Sequence, residues 1–231
     1  MNYYKLTPVG WTRLQGAAAK QPSRAFFSEV SPALFAHTFH LAEVIVEVLC
    51  ACQERRVSIE RFIRENELTF AAGNDQVQPD CFCRLTASGR TFNLAFEIDE
   101  STESLDSHAV NSVRKKLVTY HGYQDMILSQ WLKQGKRWER PRLRVVFLTR
   151  TVERAYHILA LAAETNRHLS RRLVYAATQD TFVSDPDPLF APIFVDHFGN
   201  WQSLIDLHPT AQFHKAPVRL KMPLEAALLV C

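Results

Sequence analysis

Apolar and polar residues alternate through residues 78–99, QPDCFCRLTASGRTFNLAFEID, in two stretches separated by Ser88-Gly89. Successive side chains of a strand point to opposite faces, so a period of two marks a strand with two different environments. A Ser-Gly pair between such stretches fits a two-residue hairpin turn, because glycine accepts positive φ. The pattern predicts an antiparallel hairpin in which Asp80 faces Glu97. Cys81, Cys83, Leu85, Phe92, Leu94, Phe96 and Ile98 then share an apolar face, and Asp80, Phe82, Arg84, Asn93, Ala95, Glu97 and Asp99 share the other. Directly opposed residues lie roughly 5 Å apart at Cβ, close enough for two carboxylates to share one cation. The acidic end of the second face therefore reads as a candidate metal site at a sheet edge.

Elsewhere the periodicity is helical. Residues 32–53 carry an apolar stripe through Leu34, Phe39, Leu41, Val44, Ile45, Val48 and Leu49, with Ser31 as N-cap and Pro32 at the first helical position. SIERFIRENEL, after Ser58, reads as a second helix with Ile59, Phe62, Ile63 and Asn66 inward, which offers Glu60, Glu65 and Glu67 as further acids. Residues 71–77 read as a polar loop. Val110, Val113, Leu117, Tyr120, Ile127 and Trp131 define a long helix after the hairpin, with Gly122 as a kink. Lys116 falls on its inner face and Lys115 points to solvent. LRVVFL (143–148) is a buried strand, Thr151 caps a helix, and Leu173-Val174-Tyr175 is a further strand. Alternating helices and strands predict an α/β core with helices on both faces of a mixed sheet. Residues after Thr178 read as an irregular edge with a short helix, and the last twenty as a tail or partner-docking strand.

Composition narrows the class. With 231 residues and 47% hydrophobic content, one domain with appendages is expected. No apolar run approaches the roughly 20 residues of a membrane span, and no signal-peptide pattern opens the chain, so a cytoplasmic setting without membrane contact is expected. Cys50/Cys52 and Cys81/Cys83 have Cys-x-Cys spacing, without the spacer of a zinc ribbon, and read as reduced, buried thiols. His37, His40 and Glu43 have helical spacing that could bind metal, but histidines hydrogen-bonded at a helix surface explain them as well. Net charge is +3, yet residues 133–154 hold Lys133, Lys136, Arg137, Arg140, Arg142, Arg144, Arg150 and Arg154 against Glu139 and Glu153. Such a block suits a polyanion such as DNA; a solvated loop would look the same.

The order of helix, hairpin with Pro79-Asp80 and Glu97-Ile98-Asp99, helix with lysine, then strand resembles the PD-(D/E)xK nuclease core, the restriction-endonuclease-like fold. Asp99 stands where that superfamily usually has lysine, and Lys116 would supply the cation from the helix. The chain also resembles the replication-relaxation family of mobile-element and plasmid proteins. The matching residues are Pro79-Asp80, Glu97-Ile98-Asp99, Thr102-Glu103 and Lys116-Leu117-x-x-Tyr120, with His37–Val44 as the preceding helix and Glu67-Leu68 before the PD strand. YYKLTPVGWTRL resembles the end of that family's winged-helix wing, so the recognition helix is expected to lie outside this chain.

The resemblance implies a wing remnant at 1–16, a connector at 17–32, a nuclease-like core at 33–178 and a C-terminal extension at 179–231. It implies Asp80, Glu97 and Lys116 as catalytic residues and Asp80, Glu97, Asp99 and Glu67 as ligands of Mg²⁺ or Mn²⁺. Lys133, Lys136, Arg137, Arg140, Arg142 and Arg144 would hold DNA. Other mobile-element or replication proteins, or a second copy of the chain, are compatible partners. The alternatives are a catalytically inactive DNA-binding or relaxosome accessory protein and a protein-docking module.

Overall fold

The computed structural model describes residues 7–22, 32–65, 67–101, 103–105, 112–135, 142–168 and 170–206. The chain divides into two units, Met1–Phe39 and His40–Cys231. In the first, helix α1 (Pro8–Gln15) starts at Thr7, whose hydroxyl accepts the Gly10 amide at 3.1 Å, with proline at the first helical position. YYKL of the wing-like segment lies outside the described residues. Helix α2 (Pro32–Glu54) runs across the division.

The second unit is α/β. Its sheet of seven strands is built from β1 (Ser58–Arg64), β4 (Cys81–Ala87), β5 (Arg90–Asp99), β6 (Leu143–Thr149), β7 (Val174–Thr178), β8 (Phe194–Asp196) and β9 (Trp201–Gln202), in that spatial order. β5, β6 and β7 are parallel neighbours; all other pairings are antiparallel. The β4–β5 hairpin turns at Ser88 (φ 49°) and Gly89 (φ 71°), the two positive values that a type I′ turn requires. Cys81 lies opposite Phe96, so Asp80, one step beyond, faces Glu97; the Asp80 amide donates to the Phe96 carbonyl at 3.0 Å.

The two faces of the hairpin bury against different helices. Cys81, Cys83, Leu85, Phe92, Leu94, Phe96 and Ile98 pack with Leu41, Val44 and Val48 of α2 and with Phe182 of α5 (Gln179–Ser184). Phe82 and Ala95 pack with Val113, Leu117 and Tyr120 of α3 (Val113–Lys133) and with Ile158 and Leu159 of α4 (Val152–Thr165). Crossover helices between parallel strands cover one face of the sheet, and α2 covers the other. Side-chain caps fix where these helices begin: Ser112 accepts the Lys115 amide at 3.3 Å, and Thr151 accepts the Arg154 amide at 3.2 Å.

Several expectations are corrected. SIERFIR is strand β1 and not a helix: it pairs with β4 through a bulge that leaves Glu60 outside the ladder. That bulge breaks the period of two, so Ile59, Phe62 and Ile63 fall at helical spacing while remaining in a strand. The expected loop at 71–77 contains a small hairpin, β2 (Phe70–Ala72) with β3 (Asp75–Val77). The sheet does not stop at residue 178, since β8 and β9 extend it to Gln202. Segment Leu34–Glu54 of α2 is long and apolar enough to cross a membrane by length and composition, and it also supplies core residues Leu41, Val44, Val48 and Ala51.

Gly122 marks no interruption: α3 is continuous through it. A Cβ built there would sit 2.8 Å from Cβ of Ala72, so glycine is needed to let β2 approach the helix. Gly122→Ala should therefore lower stability by about 1 kcal/mol, because overpacking against a strand outweighs the helix propensity gained. Adding Ala72→Gly should recover the loss; chemical denaturation of the single and double variants measures both.

Candidate functional site

Glu97 is the seat of the acidic cluster. It lies near the carboxyl end of β5 and is 2% exposed. Lys116 Nζ donates to its Oε2 at 2.8 Å, and the Tyr120 hydroxyl donates to its Oε1. Lys116 and Tyr120 are four residues apart on α3 and hence on one face of the helix. Lys116 Nζ also meets Glu103 Oε1 at 2.8 Å. Asp80 approaches from the neighbouring strand, its Oδ2 accepting the Ile98 amide at 2.6 Å. Oxygens of Asp80 and Glu65 lie within 4.8 Å of each other. The structure thus brings Asp80, Glu97 and Lys116 together, with Lys116 inward and Lys115 outward, paired to Asp75 at 3.3 Å.

Burial dominates the electrostatics. Loss of water lifts Glu97 from 4.5 to about 7; Lys116 opposes the shift and Asp80 adds to it. Burial also works against the Lys116 ammonium, but Glu97 and Glu103 outweigh it and hold its pKa above the ordinary lysine value. Burial and then Glu97 raise the Tyr120 phenol well above its usual range, so it stays a donor.

Other residues singled out by the sequence stand elsewhere. Asp99 is locked to Arg154 by two contacts, Nε to Oδ2 at 2.5 Å and a terminal nitrogen to Oδ1 at 3.1 Å, and accepts the Ser101 amide. Both of its oxygens have donors within the fold. Glu67 is exposed in the turn after β1, and Glu65 is the acid from that segment that reaches Asp80. His40 Nδ1 bonds Glu100 Oε1 at 2.6 Å, on the opposite face of β5 from Glu97. His37 precedes it by one turn of α2 and belongs to the first unit.

Arg144 is not a surface cation. Its guanidinium lies over the rings of Phe92 and Tyr175 at 5.5 and 5.6 Å, and it donates to the carbonyls of Ser203 and Leu204. That enclosure corrects its assignment to DNA binding. Lys133, Arg142 and Arg150 are exposed; Lys136, Arg137 and Arg140 lie outside the described residues. Cys52, Cys81 and Cys83 are buried, and burial pushes the Cys52 thiol up to about 12, which makes it inert.

Comparison with protein-family models, curated proteins and solved structures returned no match.

A cavity of about 380 Å³ opens instead among α3, the end of α4 and the β2–β3 hairpin, lined by Asp75, Arg114, His121, Asp125, Glu164 and Arg167. It contains none of the acidic cluster, and much of its charge is paired internally, Arg114 with Glu164 and Asp125 with Arg171. The buried charges lie around Glu97.

The sequence named Tyr120 and Glu103 as motif residues and Arg154 as one of a basic block; their bonds to Glu97, Lys116 and Asp99 come from α3, the segment after β5 and α4 meeting at the end of β5.

The raised Glu97 pKa has a stability consequence. A carboxyl group whose folded pKa exceeds its unfolded value stabilises fully below the unfolded pKa and loses that contribution as pH rises through the folded one. Between pH 4.5 and about 7 the wild type should therefore lose up to about 3 kcal/mol relative to Glu97→Gln, in which the group cannot ionise. Urea denaturation of both proteins across that range measures the difference, and parallel pH curves would contradict it.

Proposed function

We propose that the chain is a metal-dependent, nuclease-like protein that acts on phosphodiester bonds of DNA. In this reading it has a restriction-endonuclease-like core and serves replication or mobilisation of a plasmid or other mobile element in the cytoplasm, alongside other replication proteins. The observation that carries it is the crowding of carboxylates around β5. Glu65, Asp80, Glu97 and Glu103 gather there, and Lys116 bonds two of them. Carboxylates taken out of water need compensating charge, and a dication would supply it beside Lys116. The carboxylate oxygens of Asp80 and Glu65 suit hard ions such as Mg²⁺ or Mn²⁺.

Asp80 and Glu65, whose oxygens lie within 4.8 Å of each other, would hold the ion, with Glu97 next to Asp80. Bound there, it would polarise a phosphodiester oxygen and acidify a water molecule. Lys116 would orient the attacking water or neutralise charge growing on the phosphate. Tyr120, kept protonated, fixes the Glu97 carboxylate in place. Arg154 neutralises Asp99 and steadies the strand end. The exposed cations Lys133, Arg142 and Arg150 would contribute to holding the polyanion.

One observation favours a second reading, a non-catalytic protein of the same fold that binds DNA or docks in a relaxosome. Both Glu97 oxygens already have donors, and Asp99 occupies the position that the resembled superfamily fills with lysine. A nicking assay on supercoiled plasmid, with and without Mg²⁺, decides between them. The wild type should nick only with the metal. Asp80→Ala should lose at least the roughly 100-fold that disturbing a metal's supporting residues costs. Full Mg²⁺-dependent cleavage by Asp80→Ala overturns the metal reading; DNA retention that falls steeply with salt, without cleavage, supports the second.

A further inference from the structure

His121 lies on α3 and is 5% exposed, and neither of its ring nitrogens has a hydrogen-bond partner among the described residues. A buried polar group without a partner is costly, and a partner from outside the chain removes the cost. The ring lines the cavity of about 380 Å³ between α3, the end of α4 and the β2–β3 hairpin, so such a partner can reach it. That volume lies within the span of small-molecule sites, roughly 300–1,000 Å³.

The inner end of the cavity calls for an uncharged group. Burial lowers the His121 pKa to about 4, and His197 adds to the effect. At neutral pH the imidazole therefore offers one N–H donor and one acceptor nitrogen. Its matching partner presents an acceptor and a donor together, as the edge of a nucleobase does. Ala72, Val118 and Gly122 add an apolar wall that suits the face of a heterocycle.

The charges around the cavity set the other end. Arg114 donates to both oxygens of Glu164 at 3.1 Å, Asp75 meets Lys115 at 3.3 Å, and Asp125 meets Arg171 at 2.6 Å. Each acid of the wall is thus answered by a basic side chain. Arg167 is exposed at the rim and has no ion pair among the described residues. The unanswered charge is a guanidinium, whose planar fork suits phosphate.

We propose that this cavity binds a small organic anion with the chemistry of a nucleoside monophosphate, its base against His121 and its phosphate at Arg167. The inference stands apart from the metal reading above, since the cavity shares no residue with the acidic cluster.

Calorimetric titration of the full chain with adenosine, guanosine, cytidine and uridine monophosphates tests it, with inorganic phosphate as the control. At least one monophosphate should bind, and more tightly than phosphate. His121→Leu should weaken that binding at least roughly tenfold, because the polar edge of the base then faces an apolar side chain. The same variant should melt no lower than the wild type, since an apolar group of similar size replaces an unpaired polar one. His121→Gln, which keeps a donor and an acceptor, should retain most of the affinity. Arg167→Gln should weaken the monophosphate roughly fivefold, the upper worth of an exposed ion pair. Should His121→Leu fail to fold, His121→Gln and Arg167→Gln, each with a wild-type melting profile, still decide. Binding of none of the monophosphates, binding no tighter than that of phosphate, or undiminished affinity in His121→Leu or Arg167→Gln overturns the site.

Discussion

A carboxylate 2% exposed at the end of a central strand has to be answered from the layers around it, and Glu97 organises its surroundings accordingly. Two donors reach it from α3, and they do so because Lys116 and Tyr120 are one helical turn apart. That demand fixes the rotation of α3 about its axis. The apolar stripe Val113, Leu117 and Tyr120 then falls on Phe82 and Ala95, so polar satisfaction and hydrophobic burial require the same helix orientation. Agreement between these levels makes the arrangement specific. Stability alone does not account for it, since apolar replacement of a buried ion pair is often neutral or stabilising.

The parallel strands give the cluster its address. In open α/β sheets, ligands bind beyond the carboxyl ends of the strands. Glu97, Asp99 and Glu100 stand at that end of β5, and Arg150 and Arg154 follow β6. Each crossover returns one partner to the same edge: α3 supplies Lys116 and Tyr120, and the first turn of α4 supplies Arg154. The opposite face of the edge carries a separate polar pair, His40 with Glu100, which Gln179 approaches at 3.4 Å from the end of β7. β5 thus separates an acidic, lysine-bearing face from a histidine-bearing one by the alternation of its last residues.

What was legible in the sequence followed from periodicity and turn chemistry. The hairpin register, its two faces and the choice of Lys116 over Lys115 all come from periods of two and 3.6, which depend on the chain alone. β1 was misread because one bulged residue converts a strand pattern into a helical one. β8 and β9, of three and two residues, are too short to show any period. Gly122 was misread because a kink and a close approach leave the same trace, and only Ala72 distinguishes them. Charge counting failed at Arg144 for a similar reason. A basic block reports how many cations there are, and says nothing about which of them stack on rings and bind carbonyls inside the fold.

Asp99 shows how far a local motif can mislead about charge. A lysine at that position would share a face with Glu97 one strand repeat away, roughly 7 Å along the chain. Lys116 reaches Glu97 from the facing helix at 2.8 Å, so the ammonium is present although the strand does not provide it. An aspartate on the strand would then add a negative charge to an edge already crowded with carboxylates. Arg154 cancels that addition through two contacts and uses a third to hold the Glu103 carbonyl. Asp99 and Arg154 therefore act together as a neutral brace beside Asp80, Glu97, Glu103 and Lys116. Replacing Asp99 with lysine would leave Arg154 facing a second cation and would release the segment that carries Glu103. The position is better understood as an anchor for that segment than as a vacancy in a catalytic motif.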